Sequence, residues 1–463
     1  MFRRVLVANR GEIALRVMRT CKGMGVETVA VYSDADAASP HVRFADRSVR
    51  IGPAPVKDSY LNADAIVGAA RDTEADAIHP GYGLLSENEG FARAVAAAGI
   101  VFIGPPPAAL DAFGDKLKAR ALARSVGVEP PAGSDGPVDP DDVAALRAVV
   151  ERIGLPVIFK AAGGGGGIGM QLVRSLDELE KAARACSDRG KAAFGDARVY
   201  VERYLESPRH IEVQIVRDRA GNRVALPERE CSVQRRHQKI IEESPSPAAF
   251  FQGEDGARRR AAIAADALKV VDAAHYEGAG TVEFVADRAG TYCFLEVNAR
   301  LQVEHPVTEM ISGVDLVAAQ LRIASGETLP AELTAVVPSG HAIEARVYAE
   351  DPAKGFIPQP GRIERLRWPE GLSGVRIDAG VEEGGEVTPY YDPMIAKVIA
   401  HGADRREAIQ RLGAALAATE LQLMGPKGPR ATNIAFLLKV LADPRFGAGQ
   451  YDTSLAEAIA KGA

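Results

Sequence analysis

One stretch restricts the fold more than any other. Between Thr281 and His305, two β-rich runs flank Asp287-Arg288-Ala289-Gly290: Val282-Glu283-Phe284-Val285 before it, and Thr291-Tyr292-Cys293-Phe294-Leu295-Glu296-Val297 after it. Such runs around a turn of this composition predict a hairpin. A turn centred between Ala289 and Gly290 sets Glu283 opposite Glu296, and like charges directly opposed across two strands repel. A divalent cation would relieve the repulsion, Mg2+ or Mn2+ by the preference of hard ions for oxygen. A solvated edge strand with self-paired charges is the alternative. Continued alternation past Glu296 puts Asn298, Arg300, Gln302 and Glu304 on one face and Leu295, Val297, Ala299, Leu301 and Val303 on the other.

At 463 residues the chain suggests about three domains. Its net charge of −6 gives no reason to expect a nucleic-acid partner. Four cysteines without metal-type or disulfide-type spacing fit a reducing compartment. Asn9 and Arg10 interrupt the first apolar run too early for a signal peptide, and no run approaches membrane-spanning length. A cytoplasmic protein with no membrane contact is expected.

The first segment alternates strand and helix in the doubly wound manner: Val5–Ala8 a strand, Ile13, Val17 and Met18 a helix, Glu27–Tyr32 a strand. No Gly-x-Gly-x-x-Gly follows the first strand, so this layout does not imply a dinucleotide. Ala77-Ile78-His79-Pro80-Gly81-Tyr82-Gly83 reads as a strand ending in a tight loop, where ligands sit in such folds, although a lone Tyr there serves packing more often than contact. An Ala-rich helix containing Gly114-Asp115-Lys116 follows Pro105-Pro106-Pro107 and leads into a second domain.

Leu155–Lys160 reads as a buried strand, followed by five glycines, Gly163–Gly167, and a second strand through Met170–Val173. Glycine in succession carries a large backbone-entropy cost. A flexible linker is one reading, but a mobile hairpin whose amides approach phosphate oxygens suits its place between two strands better. Gly-Lys-Ser/Thr is absent, so it is not a Walker loop. Glu202-Arg203-Tyr204-Leu205 and His210–Ile215 read as strands. The dense charges from Glu228 to Glu243 read as charged surface, 255–274 as a helix, Ala342–Tyr348 as an alternating strand, and the chain beyond Arg405 as amphipathic helices.

Several motifs occur in one order over nearly the whole chain. They are Asn9-Arg10-Gly11-Glu12-Ile13-Ala14, His79-Pro80-Gly81-Tyr82-Gly83, Ser86-Glu87-Asn88, Lys160 with its glycines, Cys231–Lys239, Glu296–Pro306 and Tyr390-Tyr391-Asp392-Pro393-Met394. Together they resemble biotin carboxylase, an ATP-grasp enzyme. The resemblance implies an α/β fold, α+β in parts. A doubly wound N-terminal domain (1–114) would precede an ATP-grasp domain (115–335) with a mobile glycine-rich lid at about 132–204. A mixed β/α C-terminal domain (336–447) and a tail (448–463) would follow.

The resemblance further implies that ATP converts bicarbonate to carboxyphosphate, and that the ureido nitrogen of carrier-bound biotin is then carboxylated. It assigns ATP to Lys116, Lys160, Gly165, Gly166, Glu202, Leu205, His210, Gln234 and His237, and Mg2+ or Mn2+ to Glu283, Glu296 and Asn298. Bicarbonate would lie against Lys239, Arg300, Gln302, Val303 and Glu304, with Glu304 as general base, ionised beside Arg300 and Lys239. Arg346 would stabilise the enolate-like oxygen of biotin, bordered by Tyr82 and Gln238. Implied partners are a biotin carboxyl carrier protein, a carboxyltransferase and, with Arg16 and Arg19 present but Gly23 in place of an acidic residue, a second copy of the chain. No Met-Lys-Met-type segment occurs, so the carrier would be a separate polypeptide or have been removed. Ile168 stands where the family has Arg, and the Pro-rich 425–433 segment is longer than usual and would alter the adenine floor. Two other readings are a different bicarbonate-activating ATP-grasp ligase, against which the absence of an internal repeat counts, and a regulatory subunit with a dead site.

Overall fold

The computed structural model describes residues 1–163, 169–236 and 238–462. Gly165, Gly166, Ile168 and His237 therefore lie outside the described residues. The apolar runs of the first segment form a five-stranded parallel sheet in the spatial order 47–52, 27–33, 4–7, 77–79, 101–102. Helices Gly11–Gly23, Ala63–Asp72 and Glu89–Ala97 connect its strands. Order reverses at Arg4–Val7, so the loops after that strand and after Ala77–His79 meet at a switch point, where doubly wound folds bind ligands. Asn9 Nδ2 joins them by donating to Pro80 O (2.7 Å) and Tyr82 O (2.8 Å).

The expected helix through Gly114-Asp115-Lys116 is two helices, Pro107–Gly114 and Lys116–Ser125. Asp115 breaks it: its backbone is extended and its carboxylate accepts from the Leu117 and Lys118 amides, satisfying two orphan donors of the second helix. A small antiparallel sheet follows in the order 171–173, 157–161, 199–203, packed on helices Val143–Ile153 and Leu179–Phe194.

The largest sheet is antiparallel with nine strands. Its order is 292–298, 278–286, 209–217, 229–235, 238–244, 341–348, 394–402, 375–379, with 223–225 also on 209–217. It runs without a break from the central segment into the C-terminal one through the pairing of Gln238–Ser244 with His341–Tyr348. Helix Gly253–Ala273 covers part of it, burying Ile263, Ala267 and Val270 against Ile211, Val213, Val282 and Phe284.

Two sequence expectations fail here for one reason, burial on both faces. The charged run 228–243 is not surface but two interior strands, and Arg229 and Glu242 are fully buried. His341–Tyr348 is buried at every position. Ala342 packs with Val307 and Ile311 of helix His305–Ser312, whereas Ile343 packs with Ala408 and Leu412 of helix Arg405–Ala418. The C-terminal helices are interrupted by a hairpin, Glu420–Gly425 with Gly428–Arg430, so the Pro-rich segment supplies its turn and second strand. It leads to buried Asn433, whose Oδ1 accepts from Tyr348 N (2.8 Å) while Nδ2 donates to Arg346 O (2.9 Å). The end of the chain is packed, with Tyr451, Leu455 and Ala456 in the C-terminal core. Among the described residues no helix is long and apolar enough to cross a membrane.

Glu243 ties the shared sheet together. Its carboxylate accepts from His341 Nε2 (2.6 Å), Arg405 Nε (2.6 Å) and the Tyr451 hydroxyl. Burial opposes its charge, but Arg405 and His341 outweigh burial and hold the carboxyl down at about 2. Because this folded value lies below the ordinary 4.5, the contribution is complete above pH 4.5 and is lost as pH falls toward 2. Glu243→Gln is expected to cost about 3–5 kcal/mol near neutral pH, with the deficit shrinking in acid. Denaturant titrations of both proteins at pH 7 and pH 3 check this.

Candidate active site

The opening hairpin forms, and Glu283 pairs with Glu296. Its route differs from the simple symmetric one. Asp287 Oδ1 accepts from the Ala289 and Thr291 amides, Gly290 adopts φ +82°, and the pairs nearest the turn, Ala286–Tyr292 to Phe284–Phe294, are centred on Ala289. A bulge between Phe284 and Glu283 then shifts the register by one residue and brings the glutamates opposite each other. Glu212 on the next strand is in register with Glu283, so three carboxylates form a row across three strands. The strand ends at Asn298, and the residues that follow form a loop that turns into helix His305–Ser312.

Lysines compensate this row. Lys239 Nζ donates its three hydrogen bonds to Glu212 Oε2 (2.6 Å), Glu283 Oε1 (2.8 Å) and Glu304 Oε1 (2.6 Å), and Lys116 Nζ is paired with Glu296. Burial works against every charge here. For Glu304 it is outweighed by Lys239, Arg346 and Arg229, and for Glu283 by Lys239 and His210, so both carboxyls are held well below the usual range. Arg229 uses all five guanidinium hydrogens, on Glu212, Gln214, Thr308, Thr281 and Gln302. Gln302 passes this on, donating to Glu283 Oε1 (2.8 Å), which also accepts from Asn298 Nδ2 (2.9 Å).

The loop also places Glu304 against a second cation. Arg346 NH2 lies 2.9 Å from Glu304 Oε2 and 2.6 Å from Glu242 Oε1. Burial raises Glu242 to about 7, against the pull of Arg346. Arg300 differs from expectation: it does not hold Glu304 but pairs with Glu87 (3.0 Å), and its NH2 donates to Asn298 Oδ1 (2.9 Å). Glu87 also accepts from the Ala299 amide, which fixes the loop to the N-terminal segment.

The other expected residues fall into three groups. His210 joins the cluster through Glu283 (3.0 Å) and through Gln234, whose Nε2 lies 3.0 Å from His210 Nδ1. Lys160 pairs with Glu202, which is also bound by Arg120, on the small sheet; Leu205 follows in the next loop. The Lys116 amide donates to Ala162 O (3.1 Å) and Asp115 bridges Gly163, joining the start of helix Lys116–Ser125 to the residues after strand 157–161. Tyr82 donates its hydroxyl to Glu12, Val303 O accepts from Lys397 Nζ (2.8 Å), and Gln238 opens the strand opposite Arg235. Sequence reasoning missed Glu212, Arg229 and Glu242. For Glu212 a signal existed, since His210, Glu212 and Gln214 alternate onto one strand face.

In chemical terms this is a buried cluster in which Lys239 and Arg346 bracket the ionised carboxylate of Glu304, with Glu212, Glu283 and Glu296 in a row across the sheet beside it. Such a site and sheet arrangement define an ATP-grasp ligase. Residues 115–332 match the family model described as "Carbamoyl-phosphate synthase L chain, ATP binding domain". Residues 1–110 match "Biotin carboxylase, N-terminal domain", and 344–458 match "Biotin carboxylase C-terminal domain".

The chain is 49% identical to a biotin carboxylase of Halalkalibacterium halodurans over 98% of its own length and 97% of that protein. It is 46% identical to the human mitochondrial propionyl-CoA carboxylase alpha chain, of which it spans 60%. The Campylobacter jejuni biotin carboxylase, solved as a β,γ-ATP complex, superposes with a TM-score of 0.92 at 42% identity, covering 99% of each chain. The biotin carboxylase domain dimer of Hydrogenobacter thermophilus 2-oxoglutarate carboxylase, solved with MgADP, ADP and bicarbonate, gives 0.92 at 41% identity, covering 99% of this chain and 97% of that one. The chain belongs to the biotin carboxylase family, ATP-dependent ligases that carboxylate biotin.

Proposed function

We propose that this chain uses ATP to activate bicarbonate and then carboxylates a ureido nitrogen of biotin on a biotin carboxyl carrier protein, as the first half-reaction of an acyl-CoA carboxylase. One observation carries the reading most directly: Glu304, ionised and buried, is held between Lys239 and Arg346. Bicarbonate entering against Lys239, Arg300, Gln302 and the Val303 backbone draws Lys239 toward its own charge. Glu304 then loses the strongest cation holding its proton affinity down, and becomes a better base when a proton must be taken.

Deprotonated bicarbonate attacks the γ-phosphorus, ADP leaves, and carboxyphosphate forms. Its breakdown to CO2 and phosphate supplies both the electrophile and a base for the ureido N–H. Arg346 balances the charge that develops on the ureido oxygen, with Tyr82 and Gln238 bordering the ring. Lys116, Lys160 and His210, with the amides of Gly165 and Gly166, receive the phosphates, Gln234 and His237 also bind ATP, and Glu202 and Leu205 lie near the adenine. Glu283, Glu296 and Asn298 would hold Mg2+ or Mn2+; the oxygen donors and their cross-strand register fit a hard cation. When bound, the cation neutralises phosphate charge.

The same reading gives the division 1–114, 115–335 with a lid at 132–204, 336–447 and 448–463. It also gives a carboxyltransferase partner, a homodimer and a cytoplasmic location. Purified chain with free biotin, MgATP and bicarbonate is expected to release ADP only with bicarbonate present, and faster as biotin is added. Normal ATP binding without a biotin response in a coupled ADP assay would exclude it.

A further inference from the structure

We infer that Glu12 and Lys397, a buried ion pair contributed by the two ends of the chain, are positioning residues that hold the biotin border and the bicarbonate seat in one arrangement. The inference rests on the function proposed above and extends it to residues with no role there. Glu12 lies in the first turn of helix Gly11–Gly23, and Lys397 lies on strand Met394–Gly402. Both are buried, Lys397 completely. One Glu12 oxygen accepts the Tyr82 hydroxyl, and the other lies 3.4 Å from Lys397 Nζ. Lys397 Nζ in turn donates to Val303 O (2.8 Å), with Asp378 at 4.0 Å and the buried Glu344 as further acidic neighbours.

Tyr82–Glu12–Lys397–Val303 is thus one chain of contacts through the N-terminal, C-terminal and central segments. The joint is tight: a Cβ at Gly380 would stand 2.5 Å from the Glu12 amide nitrogen. Lys397 is also the cross-strand partner of Arg346, so its strand carries one residue toward the bicarbonate loop beside the cation proposed for biotin.

A buried ion pair is a poor source of stability, because desolvating both charges offsets their attraction, and apolar residues of similar volume do as well. Geometry is what the pair supplies and an apolar pair would not. Tyr82 is held by a carboxylate whose own position is set by Lys397, and the Val303 carbonyl is held by the same ammonium. A shift of the pair moves both seats together and leaves the nucleotide lysines Lys116 and Lys160 in place, since these rest on Glu296 and Glu202.

The test uses the full chain and steady-state kinetics with free biotin, bicarbonate and MgATP. Glu12→Gln/Lys397→Met removes both charges at once and avoids leaving either buried alone. It is expected to fold with a thermal midpoint near the parent's. Its kcat/KM is expected to fall by about tenfold or more for both biotin and bicarbonate, while ATP affinity stays within about twofold. A folded double variant with parental constants for either substrate overturns the inference, as does an equal loss in ATP affinity.

Should the double variant not fold, Glu12→Gln alone decides. It keeps an oxygen for Tyr82 and loses the charge that orients Lys397, so KM for bicarbonate is expected to rise although residue 12 touches no part of that seat. An unchanged bicarbonate KM overturns the inference. Absence of any biotin response in the parent overturns the proposed function instead.

Discussion

Glu304→Gln is expected to lower bicarbonate-dependent ADP release by about a thousandfold, within the range of general-base contributions, with ATP affinity changed by about twofold or less. The amide matches the carboxylate in size and cannot take a proton. Folding is expected to survive, because neither cation beside it is left alone. Lys239 keeps Glu212 and Glu283, and Arg346 keeps Glu242. A rate within about tenfold of the parent would remove Glu304 from the role of base. ADP release measured across bicarbonate concentrations, with nucleotide affinity from fluorescence, separates loss of chemistry from loss of binding.

Arg346→Ala is expected to separate the two halves of the reaction. Biotin carboxylation falls by about a hundredfold to a thousandfold, the scale of losing one charge stabiliser of a developing anion. Bicarbonate-dependent ATP cleavage without biotin is largely kept. Two features of the site make that separation physical. Glu304 loses one neighbour but retains Lys239 and Arg229, so it stays ionised. Glu242, already raised to about 7 by burial, takes a proton once its guanidinium partner is gone and does not remain a buried unpaired anion. The variant is therefore expected to be less stable relative to the parent above pH 7 than at pH 6. Equal loss of both partial reactions would show that Arg346 serves bicarbonate as much as biotin.

The legible parts of the fold were those dictated by turn chemistry and uninterrupted apolar runs. Asp287 and Gly290 announced the hairpin, and the Glu283–Glu296 pairing followed, although the shifted turn centre and the bulge cancelled by an offset no sequence pattern displays. The parallel strands Arg4–Val7 and Glu27–Ser33 were equally plain. Charged strands were not. Arg229, Glu242 and Glu243 look the same in sequence whether solvated or buried against partners far along the chain, as Glu243 is against His341 and Arg405. The same limit hid the partner of Arg300. Glu87 lies 213 residues away, and nothing local to either residue joins them.

Within the site, the resemblance supplied Glu283 and Glu304 beside Lys239, and the structure added Glu212 and what orients the cluster. Glu212 extends the carboxylate pair to three, and Arg229 locks Gln302 and Glu212 with a fully satisfied guanidinium. Asn433 fixes the backbone of the strand at Arg346 from the far side of the Pro-rich turn. Support of this kind is spread over distant positions, each with an ordinary local pattern.

The central claim is that bicarbonate itself attacks the γ-phosphate in this seat. Its most direct test is turnover with bicarbonate labelled by 18O at all three oxygens, stopped before exchange with water, and mass analysis of the inorganic phosphate released. Attack by bicarbonate followed by breakdown of carboxyphosphate predicts one 18O atom in each phosphate. Phosphate that carries no label from bicarbonate, and instead takes oxygen from solvent, would contradict it.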